Sequence, residues 1–311
     1  MNDSILSIPK VSIIIPVYNT APYIGEALDS ICQQSLRELE IIIINDGSTD
    51  NSQQVIERYV QKDKRIQYYF QFNQGQGAAR NHGLQLARGK YIYFMDSDDL
   101  LDSSTLQQCY DRCEKERLDF VAFDAEIFGN TSSNIPNYNR KDRIASNKIW
   151  NGEELLMYEL THSAFSASSC LCFLNHQFMQ KSFSGYPAGI IHEDQFFIVE
   201  IHLKAQRVAY IPQALFKRRV RPDSTMTNRI SMKNIEGYSI VCSKIRDLSV
   251  QDPNWNEIIQ VYLSQTLNAI IWAGHRLTLS EKIETFFRFH RLSFSSYISF
   301  RNWLVFWFKP T

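Results

Sequence analysis

Three carboxylates follow directly on an apolar run: Tyr91-Ile92-Tyr93-Phe94-Met95 leads into Asp96-Ser97-Asp98-Asp99. In extended chain, residues two apart share a face, so Asp96 and Asp98 are expected to point the same way. Two like charges about 4 Å apart repel by roughly 4 kcal/mol at an effective dielectric of about 20. A hard divalent cation relieves that repulsion, and Mg²⁺ or Mn²⁺ favours a few carboxylates joined by phosphate oxygens and water. The competing reading is a solvated turn whose acids cap the following helix.

Three other segments carry residues of similar use. Pro16-Val17-Tyr18-Asn19 closes the first apolar run; either Tyr18 stacks on a base, or Pro16 and Tyr18 only shape a turn. Asn45-Asp46-Gly47-Ser48-Thr49-Asp50 closes the second, and Asp46 can accept hydrogen bonds from a base or ribose, or else cap the next helix. Gly75-Gln76-Gly77-Ala78-Ala79-Arg80-Asn81 puts two glycines ahead of a helix, where backbone amides can approach an anion and Arg80 can reach a phosphate. Further on, Glu193-Asp194 opens a helical pattern running to Leu203, and beside it His192 reads as a loop residue.

These segments need elements to hold them. Apolar runs at 11–15, 39–44, 66–70, 91–95 and 118–123 alternate with amphipathic stretches, and Asp50 with Gln53 has the spacing of a capping box. Continuous apolar strands separated by helices indicate a parallel sheet covered on both faces. With right-handed crossovers the result is a doubly wound, Rossmann-like α/β sheet, whose ligands bind beyond the carboxyl ends of the strands. All four segments fall there. Residues 124–150 are polar and turn-rich, residues 151–228 mix α and β, and the chain is helical from about 231. The expected organisation is a ligand-binding half at 1–125, a second half at 126–228 and a helical C-terminal region at 229–311.

The composition excludes several classes. Lys plus Arg and Asp plus Glu number 33 each in 311 residues, whereas a nucleic-acid binder usually has a basic excess; no nucleic-acid partner is expected. The six cysteines form no C-x-x-C pair and have no histidine cluster beside them, so they read as reduced, mostly buried thiols. The N-terminus lacks the features of a signal peptide, and no apolar run approaches the roughly 20 residues that span a bilayer; a cytoplasmic protein is expected. A Rossmann oxidoreductase would need G-x-G-x-x-G after the first strand, and no glycine occurs there before Gly25. A sugar-nucleotide pyrophosphorylase would need a glycine-rich, lysine-bearing loop at the N-terminus, which is absent.

Taken jointly, the segments resemble glycosyltransferase family 2, inverting transferases with a GT-A fold. Ser12-Ile13-Ile14-Ile15-Pro16-Val17-Tyr18-Asn19, Asp46-Gly47-Ser48-Thr49-Asp50, Ala79-Arg80-Asn81 and Asp96-Ser97-Asp98-Asp99 come in the family's order. The match is strong over residues 10–105 and weaker to 228. The resemblance implies a mostly parallel GT-A sheet, a nucleotide-sugar donor (a UDP-sugar), and transfer with inversion to a hydroxyl of a glycan or lipid-linked acceptor in cell-surface polysaccharide synthesis. It implies that Pro16, Tyr18 and Asp46 hold the base and that Arg80 lines the nucleotide pocket. Asp96 would contact the ribose or help the metal, and Asp98 would ligate Mn²⁺ or Mg²⁺ on the diphosphate. Asp194 would be the general base, and Arg219, Arg221 and Ser224 would lie on a loop closing over the donor phosphates. The family often has aspartate where this chain has Asn45, which leaves Asp46 as the only acid on the base side. No histidine metal ligand is assigned. The alternative is a catalytically weak sugar-nucleotide-binding or interaction protein on the same fold; intact Asp96, Asp98 and Asp194 oppose it.

The C-terminal stretch 285–311 contains no acid, while ten aromatic residues interleave with Arg288, Arg291, Arg301 and Lys309. Such a helix suits peripheral contact with the cytoplasmic face of the inner membrane. Alternatively it packs on the catalytic domain or forms a homo-oligomer contact.

Overall fold

β-Branched runs place the strands. The computed structural model describes residues 8–129, 138–221 and 229–309. Its strands are β1 (Val11–Val17), β2 (Leu39–Asp46), β3 (Ile66–Gln71), β4 (Tyr91–Phe94), β5 (Leu100–Leu101), β6 (Phe120–Gly129), β7 (Cys172–Asn175) and β8 (Val208–Val220). They form one sheet in the order β3-β2-β1-β4-β7-β6-β8-β5. β1 and β2 are buried along their whole length, as continuous apolar strands covered on both faces must be. β3, at the edge, is only partly buried.

The sheet changes character at its middle. β3, β2, β1 and β4 are parallel, the doubly wound half that the alternation predicts. Beyond them β7 inserts antiparallel between β4 and β6. β8 then runs parallel to β6, and the short β5 antiparallel to β8. The whole is thus a mixed α/β sheet. The expected fifth strand, 118–123, is the first half of β6, which continues through position 125 to Gly129.

The helices are α1 (Ile24–Cys32), α2 (Ser52–Lys62), α3 (Gln76–Leu86), α4 (Thr105–Glu116), α5 (Gly152–Thr161), α6 (His176–Ser182), α7 (Glu193–Lys204), α8 (Met232–Leu248), α9 (Asn256–Ala273), α10 (Leu279–Arg291) and α11 (Phe300–Phe308). The Asp50–Gln53 capping box does not form. Asp50 instead accepts from the amides of Ala21 and Ser52, pinning the turn after β1 to the start of α2, and Gln53 donates to Glu57. α3 packs so tightly on β1 that a Cβ on Gly83 would lie 2.3 Å from Ile14 Cγ2.

The C-terminal helices share a hydrophobic core with α5 and α7, in which Leu156, Phe196 and Val199 join Ile235, Tyr262, Leu267, Phe289, Phe294 and Phe306. The aromatic tail is therefore divided. Phe289, Phe294 and Phe306 are fully buried, whereas Phe287, Phe300 and Phe308 are 64%, 77% and 77% exposed. Phe286 meets Trp303 and Trp307 at centroid distances of 5.4 and 5.9 Å, tying α10 to α11. No helix among the described residues is long and apolar enough to cross a membrane.

Candidate functional site

The carboxyl ends of β1, β2 and β4 bring the sequence segments to one edge of the sheet. β4 ends at Phe94, and Asp96–Asp99 form a turn with Asp99 N donating to Asp96 O (3.4 Å). Asp96 and Asp98 are thus juxtaposed by a turn rather than by the pleat of an extended strand. A strand cannot continue here because each successive acid would enter the buried sheet without a partner; the turn gives each one its own.

Those partners are arginines. Asp96 Oδ1 accepts from Arg80 Nη2 (2.8 Å) and Gln76 Nε2 (2.7 Å), and Arg218 Nη2 stands 3.8 Å from Asp96 Oδ2. Asp98 Oδ2 accepts from Arg221 Nε at 2.7 Å. Asp99 Oδ1 accepts from the Arg219 amide at 2.7 Å, while Arg219 Nε donates to Asp98 O and Arg219 Nη2 to Glu26. The Arg219 guanidinium also lies over the rings of Phe128 and Tyr23. β8 therefore carries Arg218, Arg219 and, one residue past its end, Arg221 to the acidic turn, while Ser224 falls outside the described residues.

Arg80 is the hub. It sits on α3, 1% exposed, and its Nη1 donates to Glu193 Oε1 (2.8 Å) and Asp194 Oδ1 (2.7 Å) in the first turn of α7. One guanidinium thus joins the acid at the end of β4 to both acids of the second half. Both terminal nitrogens are committed to carboxylates, whereas the buried Nε has no hydrogen-bond partner among the described residues. A single positive charge cannot neutralise three neighbours. Burial pushes Asp96 up, but Arg80 and Arg218 outweigh it and hold that carboxyl below the ordinary range. Burial, then the Asp194 charge, outweighs Arg80 at Glu193 and lifts it to about 7. Burial and the Asp96 charge likewise push Asp98 up against Arg221.

The loops after β1, β2 and β3 are tied to one another. Asp46 is 2% exposed and accepts three hydrogen bonds from the chain itself: Oδ1 accepts from Gln71 Nε2 (2.7 Å) and Gln74 N (2.9 Å), Oδ2 from Gly75 N (2.9 Å). Of the two glycine amides that the sequence offers to an anion, that of Gly75 is taken by the chain's own Asp46. Gly47 has φ +73°, and a Cβ there would lie 2.9 Å from Asn73 N, so the turn needs glycine. Asn45 is buried and structural, donating to Tyr68 OH and accepting from Ser48 N. Pro16 is buried within β1, and Tyr18 is 49% exposed. Asn19 accepts from the amides of Thr49 and Asp50, joining the two loops.

Sequence reasoning missed four contributors. Gln76 and Arg218 both reach Asp96; Ser169 Oγ donates to Asp194 Oδ1 at 2.8 Å, and Tyr186 OH to Ser169 Oγ at 2.8 Å. Arg218 stood beside two arginines that were singled out, and Gln76 between two glycines. Nothing local marks Ser169 or Tyr186.

The family model for glycosyl transferase family 2 matches residues 12–183, more than half of the chain. The chain belongs to glycosyl transferase family 2. The enzyme class expected from its motifs, a glycosyltransferase, is that of the family. Among curated relatives, YibD of Escherichia coli is 28% identical over 81% of this chain and 74% of its own length, and is described as an uncharacterized glycosyltransferase. EpsJ of Bacillus subtilis is 45% identical over 37% of the chain, a match covering only a third of that relative (33%). The GT-A fold is that of S. aureus TarS 1-349, solved in complex with UDP-GlcNAc: TM-score 0.75 at 20% identity, over 95% of this chain and 83% of that one. Mannosyltransferase PcManGT from Pyrobaculum calidifontis, in complex with GDP-Man and Mn2+, has a TM-score of 0.59 at 18% identity, over 96% of this chain and 84% of that one.

Proposed function

We propose that this chain transfers a sugar, with inversion, from a UDP-sugar to a hydroxyl of a glycan or lipid-linked acceptor in cell-surface polysaccharide synthesis, and that the transfer depends on a divalent cation. One observation carries the reading: Arg80 ties Asp96, at the start of the acidic turn, to Asp194 in the first turn of α7. In this reading Asp96 is the donor-side and Asp194 the acceptor-side carboxylate, and one guanidinium holds both. The UDP-GlcNAc and UDP complexes of the structural neighbour TarS support a nucleotide-sugar donor.

The donor set fits a hard cation of limited protein ligation. Among the described residues no group of three or more His, Cys, Asp or Glu side chains converges as a ready-made metal site. Asp98 and Asp96 offer two oxygen ligands with partly exposed carboxylates, which suits Mg²⁺ or Mn²⁺ completed by diphosphate oxygens and water. Bound there, the cation would neutralise charge developing on the leaving diphosphate. Arg219 and Arg221 stand beside the same turn and add fixed positive charge for the leaving group. Tyr18 stacks on the base at the far end, with Pro16 behind it and Asp46 fixing the loop at 72–75. Asp194 takes the acceptor proton as the hydroxyl oxygen bonds to the anomeric carbon and the bond to the diphosphate oxygen breaks; general bases contribute about 10²–10⁴-fold. In calorimetry, UDP should bind the wild-type chain much more tightly with Mn²⁺ than without, and Asp98→Asn should abolish the difference. Equal affinity in both conditions refutes metal dependence.

The exposed rings of α10 and α11 support peripheral attachment to an anionic membrane surface, where a lipid-linked acceptor is presented. Aromatic rings favour the headgroup boundary, and each basic residue near the surface adds about 1 kcal/mol. Deleting the tail is the wrong test, since Phe289, Phe294 and Phe306 belong to the core. A triple Phe287→Ser, Phe300→Ser, Phe308→Ser variant should instead fold and lose co-sedimentation with anionic vesicles. Unchanged co-sedimentation removes the membrane role, and loss of self-association in the same variant would assign the face to a homo-oligomer.

A further inference from the structure

Asp194 Oδ1 receives two hydrogen bonds, from Arg80 Nη1 and from Ser169 Oγ, and among the described residues none reaches Oδ2. A carboxylate pinned through one oxygen presents the other in a fixed direction. Ser169 is fully buried, and it has one proton, given to Asp194; its oxygen then accepts from Tyr186 OH. The order of donors is fixed by this inventory, because an ionised carboxylate only accepts and a hydroxyl has a single hydrogen. Tyr186 is itself immobilised. Asn81 holds its backbone from both sides, with Asn81 Nδ2 donating to Tyr186 O and Tyr186 N donating to Asn81 Oδ1, each at 2.8 Å. Its ring stacks on Phe197 at 5.1 Å and meets Phe94 edge-on at 5.5 Å.

We propose that Ser169, held by Tyr186, is a positioning residue that aims Asp194 Oδ2 at the acceptor hydroxyl. The chain Asn81–Tyr186–Ser169–Asp194 runs from α3, through Tyr186 in the loop before α7 and Ser169 in the turn before β7, to the base. Arg80 and Asn81, adjacent on α3, thus act on the same carboxylate by two routes, one through charge and one through a buried hydroxyl pair. The inference rests on the reading of Asp194 as the general base and adds what orients it.

The test compares Ser169→Ala, Tyr186→Phe, the double variant and Asp194→Asn in hydrolysis of whichever UDP-sugar the wild type turns over fastest with Mn²⁺, water standing in for the acceptor. UDP–Mn²⁺ affinity is measured beside it by calorimetry. A hydrogen bond to a charged acceptor is strong enough for about a tenfold effect or more, so Ser169→Ala should lower kcat by at least about tenfold with KM and UDP affinity unchanged. Tyr186→Phe should lower kcat less, and the double variant should be no worse than Ser169→Ala, since Tyr186 acts through Ser169. A loss that appears equally in UDP affinity, or effects of the two substitutions that multiply, would overturn the relay. If Asp194→Asn is inactive while Ser169→Ala is unimpaired, the relay fails and the base assignment stands. If Asp194→Asn keeps the wild-type rate, the base assignment fails and the relay with it.

Discussion

Replacing Arg80 by methionine tests whether one buried guanidinium holds the two halves of the site together. The wild-type side chain makes three charge-assisted hydrogen bonds of 2.7–2.8 Å, to Asp96, Glu193 and Asp194. Methionine fills most of the volume but removes every donor. Asp96 keeps Gln76 and Asp194 keeps Ser169, whereas Glu193, with its side chain 7% exposed, keeps no side-chain partner among the described residues. Removing one member of a buried ionic set costs about 3–5 kcal/mol, a large share of the roughly 5–15 kcal/mol that holds a domain folded. Arg80→Lys retains one charge but not the fork, so it should fall between wild type and Arg80→Met. Urea unfolding at pH 7, read as a lower midpoint at unchanged slope, measures both. A loss under about 1 kcal/mol for Arg80→Met would show that the acids find other partners and that the guanidinium is not the hub.

A second buried ionic group lies away from the proposed site: Arg140 donates to Asp124 (3.0 Å), Glu159 (3.1 Å) and Phe123 O (2.7 Å). Arg140→Met should therefore destabilise by about 3–5 kcal/mol in urea unfolding, and a near-neutral result would contradict the pairing. His202 packs edge-on against Phe120, and burial holds its imidazole near 4 against an ordinary 6.5. The unfolded chain then binds a proton that the folded chain refuses, so this contribution is complete above pH 6.5 and is lost as pH falls toward 4, by up to about 3 kcal/mol. Glu159, raised by burial to about 7, has the opposite sign and gains as pH falls toward 4.5. Glu159 Oε2 lies 3.8 Å from His202 Nε2, so the difference between wild type and His202→Phe reads the His202 part together with any change at Glu159; it should shift in favour of the variant on acidification, and a pH-independent difference would refute the assignment.

How much was legible beforehand follows the range of the interactions. The parallel half of the sheet could be read because β1, β2 and β4 are continuous apolar runs, a pattern set by burial on both faces and independent of what lies across the chain. The segments at their carboxyl ends were legible for the same reason: once the strands are placed, Tyr18, Asp46 and Asp96–Asp98 must share one edge. What remained hidden depended on closure. β7 is only four residues long, yet it separates β4 from β6 and turns a parallel sheet into a mixed one. No local pattern announces so short a strand. Asp46 carries the chemistry of a ligand-binding acid, and only the folded loop shows its oxygens engaged by Gln71, Gln74 and Gly75. Arg80 and Glu193 are 113 positions apart, and Ser169 meets Asp194 only because α7 docks beside it. Residue types determine which partners are chemically admissible. A buried charge or hydroxyl must take whichever of them the packed chain brings within about 3 Å, and that choice belongs to the tertiary structure.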